Sequence, residues 1–138
     1  MNDVVLNKTA SIERCIAQVR KFYAEEREIG FEEDYMLQDA IAMNLQRACE
    51  QVIDLANYTI KSKKLGLPQS SRESFRLLAA AGIIDQTISR KMENMVGFRN
   101  TLVHEYQQLD LALMVDVIEN HLDDLAEFAR QIGFHFRG

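Results

Sequence analysis

Apolar residues recur at three- and four-residue spacing along almost the whole chain, the mark of amphipathic helices rather than strands. Residues 4–29 carry Ile12, Ile16, Val19 and Tyr23 on one stripe, and residues 32–64 carry Ile41, Leu45, Ala48, Val52 and Leu55 on another. These two long segments are expected to pair as a helical hairpin. Gly30, Gly66, Gly82, Gly133 and the lone Pro68 stand where helices should stop. Just after Pro68, Ser70 is followed three residues on by Glu73, a capping-box pattern that opens a short helix ending at Gly82. A fourth helix is expected from near Asp85. A fifth runs from Asp110 to Ile132, with Met114, Val117, Ile118, Leu122, Leu125 and Phe128 as its buried seam. No sustained period-two alternation and no Asn-Gly or Asp-Gly turn interrupts this plan. The prediction is all-α: an antiparallel bundle of about five helices making a single domain over residues 1–138.

Composition narrows the classes open to such a bundle. With 138 residues and 47% hydrophobic content, the chain can bury a real core. Its longest apolar run falls far short of the roughly 20 residues a membrane span needs, and Met1-Asn2-Asp3 lacks the cationic-then-apolar order of a signal peptide. A cytosolic protein is therefore expected. Cys15 and Cys49 are isolated within helical patterns and read as small core hydrophobes, so neither a metal site nor a disulfide is expected. A net charge of −5 argues against a nucleic-acid binder that works by bulk electrostatics. The charge is unevenly spread, however. Residues 61–101 hold Lys61, Lys63, Lys64, Arg72, Arg76, Arg90, Lys91 and Arg99 against Glu73, Asp85 and Glu93, which leaves room for a local basic surface or for ordinary solvated helix-end charges.

Within the fourth helix, the run Arg99-Asn100-Thr101-Leu102-Val103-His104-Glu105-Tyr106 gathers a permanent cation, an amide, an imidazole and a phenol. At about 100° per residue, Ile88, Met92, Met95, Val96 and Val103 fall within about 60° of Arg99, which places the arginine at the centre of the apolar stripe. Tyr106 returns close to Arg99 if the helix persists, while Asn100 and His104 lie together on the flank at about 100° to 140°. An arginine on an apolar stripe must be satisfied by carboxylates, backbone oxygens or water, or must reach outward along its aliphatic stem. Asp34 and Asp54 on the long second helix are the candidate ion-pair partners. Gly97 shares the flank of Asn100 and His104, and a glycine inside a helix is tolerated where another backbone must come close. Either a helix of a second copy packs there, bringing two His104 and two Arg99 side chains to one groove, or Gly97 relieves crowding within one copy.

Arg99-Asn100-x3-His104 resembles the Arg-polar-x3-His signature of HEPN domains, and His104-Glu105-Tyr106 extends it to the form found in toxins of the HepT family. The helical plan is similar over nearly the whole chain. The resemblance implies the toxin of a type VII toxin–antitoxin system: a homodimeric, metal-independent endoribonuclease that needs no cofactor and cuts RNA in a composite cleft at the dimer interface. It also implies neutralisation by a cognate minimal nucleotidyltransferase antitoxin that transfers AMP to Tyr106. The residue chemistry agrees. A histidine has an ordinary pKa of about 6.5, so His104 can take a proton from a ribose 2′-OH or give one to a departing 5′-oxygen. Arg99 supplies fixed charge and paired donors for phosphorane oxygens, and Asn100 can hydrogen-bond the imidazole or the phosphate. Two rivals stand beside this reading: a non-catalytic helical module that binds a nucleotidyltransferase, and a plain dimeric scaffold.

Overall fold

A computed structural model describes residues 2–25, 27–105 and 110–137. Among them there are six α-helices and one 3-10 turn: α1 (Asp3–Ala24), the turn Phe31–Glu33, α2 (Tyr35–Lys63), α3 (Ser71–Ala80), α4 (Gln86–His104), α5 (Leu111–Asn120) and α6 (Leu122–Phe134). The expected all-α bundle is what forms. The predicted hairpin of the two long helices is its most extensive interface, and α6 packs across α1, α2 and α4. No described helix is long and apolar enough to cross a membrane.

Polar residues start the helices where the sequence offers them. Asp34 accepts a hydrogen bond from the Leu37 amide at 3.1 Å, Ser70 from that of Glu73 at 3.1 Å, and Asp85 from that of Ile88 at 2.7 Å. Each satisfies one of the amide donors that a helix start leaves unpaired. At the far end of α2, Lys64 takes the left-handed conformation (φ 58°) and Gly66 a positive φ of 115°, so the chain turns before Pro68.

Two boundaries differ from expectation. The first helix stops at Ala24, not near residue 29. Glu25 and Glu28 would put negative charge on the already negative C-terminal end of a helix, and Arg27 instead pairs with buried Asp34, the cap of α2. The expected fifth helix is broken in two at His121, whose φ of −126° is not helical. There the imidazole sits between two carboxylates, Nε2 at 3.3 Å from Asp116 and Nδ1 at 3.0 Å from Asp124, which holds the corner. The predicted seam continues through it, with Met114, Ile118, Leu122, Leu125 and Phe128 buried and Val117 half-buried. Phe128 meets Phe75 of α3 edge-on at 5.4 Å, joining this seam to the rest of the core.

Candidate active site on helix α4

α4 presents two surfaces, and its buried face rotates along its length. In its first half Ile88, Ser89, Met92 and Met95 are buried; in its second half Val96, Phe98 and Leu102 are. At about 100° per residue this swings the buried arc by roughly 60°, away from Arg99 and Val103. Val103 is accordingly 40% exposed and Arg99 only half-buried. Arg99 thus lies at the edge of the apolar face, not at its centre.

Among the described residues the Arg99 guanidinium joins no ion pair. Asp34 pairs with Arg27, and Asp54 lies 3.7 Å from Lys8, so neither expected partner serves Arg99. Its Nε is sealed from solvent and has no hydrogen-bond partner among the described residues, an arrangement that costs folding free energy. The charge is felt nearby: burial pushes the Cys49 thiol of α2 up to about 12, and Arg99 acts against that rise. Cys49, Met92, Met95 and Phe98 line a partly open cavity of about 250 Å³, together with Leu113 and Val117 of α5. Neither Arg99, Asn100 nor His104 lines it.

Asn100 and His104 are exposed, nearly opposite the buried arc, with His104 the last residue of the helix. The structure therefore places Arg99, Asn100 and His104 on adjoining faces of one helix end, within two turns of each other. Tyr106 lies outside the described residues. Among those described, no three His, Cys, Asp or Glu side chains gather in a metal-binding group.

Gly97 stands on the same ridge as Asn100 and His104. A Cβ there would come within 2.9 Å of a terminal nitrogen of Arg72, which reaches across from α3. The close neighbour within this chain is thus an arginine, which accords with the reading in which Gly97 relieves crowding within one copy. Sequence reasoning flagged Gly97 but missed Arg72, because spacing says that something comes near and not what. The basic segment is partly occupied by internal partners. Arg76 pairs with Glu93 at 2.7 Å, Lys91 with Asp124 at 3.2 Å, and Lys63 donates to the His135 carbonyl at 2.8 Å.

The family model described as ribonuclease HepT-like matches residues 12–132. The mRNA nuclease HepT of Shewanella oneidensis is 45% identical over 128 residues, covering 93% of this chain and 95% of that protein. Among solved structures, a tri-AMPylated HEPN toxin of Shewanella oneidensis in complex with its MNT antitoxin superposes with a TM-score of 0.89 at 44% identity, covering 97% of this chain and 99% of that one. A Bacillus subtilis cytosolic protein of unknown function, YutE, shares the fold with a TM-score of 0.78 at 16% identity, over 94% of this chain and 88% of that one.

Proposed function

This chain belongs to the HepT-like ribonuclease family, and on that premise we propose that it is the toxin of a toxin–antitoxin pair, a metal-independent endoribonuclease whose site is completed by a second copy. The observation that supports this most is the state of Arg99. A half-buried arginine with an unpartnered Nε and no carboxylate beside it among the described residues is poor structural material, yet it leaves a fixed cation free for a phosphate. Exposed Asn100 and His104 stand next to it.

In the proposed reaction the ribose 2′-oxygen attacks the adjacent phosphorus and its proton passes to a base. The bond from phosphorus to the 5′-oxygen then breaks, and that oxygen takes up a proton. The products are a 2′,3′-cyclic phosphate and a free 5′-hydroxyl. His104 serves one of the two proton transfers, Arg99 meets the charge that builds on the non-bridging oxygens, and Asn100 holds the imidazole or the phosphate in register. Two such helix ends facing each other across a two-fold axis bring two imidazoles to one RNA strand, so each proton transfer has its own group. The scheme uses the RNA's own hydroxyl as nucleophile, which removes the need for a metal-activated water.

Tyr106 is the proposed off-switch. Its phenol oxygen attacks the α-phosphorus of ATP held by the nucleotidyltransferase antitoxin, pyrophosphate leaves and the phenol proton is lost. Each AMP added brings a phosphodiester anion, which occupies the cleft and competes with RNA for Arg99. The Shewanella oneidensis toxin, which is AMPylated and bound to its antitoxin, supports this reading.

The test is cleavage of RNA by purified wild type, Arg99→Ala and His104→Ala in the presence of a chelator, together with growth on induction. Wild type is expected to arrest growth and leave cyclic phosphate ends, and either substitution to relieve both. A wild type that binds a nucleotidyltransferase but neither cuts RNA nor arrests growth establishes the non-catalytic module instead.

A further inference from the structure

Glu93, Gly97, Asn100 and His104 follow one another at four-, three- and four-residue steps, which stacks them as a single ridge on the exposed side of α4. Arg72, in the first turn of α3, lies along that ridge. Its Nε donates to the Glu93 carbonyl at 3.3 Å, and a terminal nitrogen sits where any side chain on residue 97 would begin. The neighbouring Arg76 takes the Glu93 carboxylate. Arg72 therefore receives only a backbone oxygen, and among the described residues no carboxylate lies within ion-pair distance of it. Its side chain is exposed.

This combination is hard to explain as stability alone. A glycine in a helix interior weakens the helix, and its neighbour here is a solvated cation that makes no ion pair. What the glycine secures is position. Without a Cβ at residue 97, one edge of the guanidinium rests against α4, one turn before Asn100 and two before His104, or about 5 Å and 10 Å along the axis. Anchored through Nε, it keeps its outer donors for a ligand. A planar fork with free donors beside a phosphodiester-cutting site fits a second phosphate of the same strand.

We propose that Arg72 is a substrate-binding residue that grips an RNA phosphate neighbouring the scissile one, and that Gly97 is the cradle that holds its guanidinium there. This rests on the nuclease reading. Arg72 touches no reacting atom, so its loss weakens binding and leaves the chemical step nearly intact.

The experiment measures binding of a labelled single-stranded RNA across a salt series for Arg72→Ala, Arg72→Lys and Gly97→Ala, each in the cleavage-dead His104→Ala background. Cleavage kinetics are measured for the same three changes with His104 present. Arg72→Ala is expected to weaken binding five- to ten-fold and to raise KM with kcat within about two-fold. It should also shrink the slope of log affinity against log salt by about 0.7 for each phosphate that is no longer neutralised. Arg72→Lys is expected to restore most of the slope. Gly97→Ala, which keeps the arginine but pushes its tip away, is expected to weaken binding in the same direction without lowering Tm, and so covers the case in which Arg72→Ala folds badly. Active wild type with an unchanged slope and KM in Arg72→Ala and Gly97→Ala overturns the proposal and leaves the nuclease reading standing. Absence of RNA cleavage by wild type overturns both.

Discussion

Replacing Arg99 by methionine separates its cost to the fold from its use in the site. Methionine is unbranched and adapts to irregular gaps, so it can fill the path of the arginine stem beside Cys49. The change removes a sealed Nε that has no partner, and leaving a buried donor unsatisfied costs about 1–3 kcal/mol. Because Arg99 is only half-buried, the lower end of that range applies, and the variant is expected to match wild type or exceed it by about 1 kcal/mol. For a chain of this size that corresponds to a Tm rise of about 4 °C. Activity should move the other way. Loss of a donor to the transition-state oxygens lowers turnover by about 10²- to 10³-fold. The assays are calorimetry and denaturant unfolding at equal protein concentration, since an oligomer's Tm depends on it, alongside RNA cleavage. A stability loss of about 3–5 kcal/mol is what breaking a buried ion pair produces. That result, or full activity in the variant, refutes the argument that Arg99 is held unpaired for function.

Three further expectations follow from single groups. Tyr106→Phe should remain toxic when the nucleotidyltransferase is co-expressed, and mass spectrometry should find no AMP on it; neutralisation of that variant removes Tyr106 as acceptor. The Cys49 thiol, pushed up to about 12 by burial, should stay protonated and resist alkylation in the native protein at pH 7.5, with labelling that tracks global unfolding. Arg130, helped by Gln131, lowers the Glu127 carboxyl to about 2. Its folded pKa is depressed, so its stabilisation is present above its ordinary pKa of about 4.5 and is lost as the pH falls towards 2. The pair is largely solvated, with side chains 64% and 37% exposed, so Glu127→Gln should cost only about 0.5 kcal/mol at pH 7, and the difference should vanish near pH 2 in acid unfolding curves.

Periodicity carried the fold because burial is periodic: the helix number was nearly right, and the seam of the last helices was right but for half-buried Val117. It failed where a polar contact between distant positions decides the path. The break at His121 depends on Asp116 and Asp124 closing on one imidazole, and the stop at Ala24 on Arg27 reaching Asp34. Neither disturbs the apolar spacing, so neither leaves a trace in it. The site shows the same division. Arg99, Asn100 and His104 could be placed on adjoining faces from helical geometry. That Arg99 lies at the edge of the buried face could not be, because the face rotates with the packing of α4 against its neighbours. Arg72 is 25 positions from Gly97 in sequence and is brought to it only by the pairing of α3 with α4.

The arithmetic of charge then explains how a chain of net charge −5 can handle RNA at all. Of the basic residues between 61 and 101, Arg76 and Lys91 are neutralised by carboxylates and Lys63 is tied to a carbonyl; Lys61, Lys64, Arg72, Arg90 and Arg99 are free of ion pairs among the described residues, and of these Arg72 and Arg99 lie by the His104 end of α4. One copy therefore offers two cations near His104, and a two-fold pair offers four to one strand. At about 0.7 per phosphate neutralised on a single strand, four phosphates give a salt slope of about −3, or an affinity loss of roughly 50-fold between 50 and 200 mM salt. Two phosphates held by a lone copy give only about seven-fold. A diffuse basic surface would give a steeper slope, and acidic faces elsewhere keep RNA from settling away from the site. The measured slope thus reports the number of copies engaged per RNA strand, and a value near that of a lone copy would remove the argument for a composite cleft.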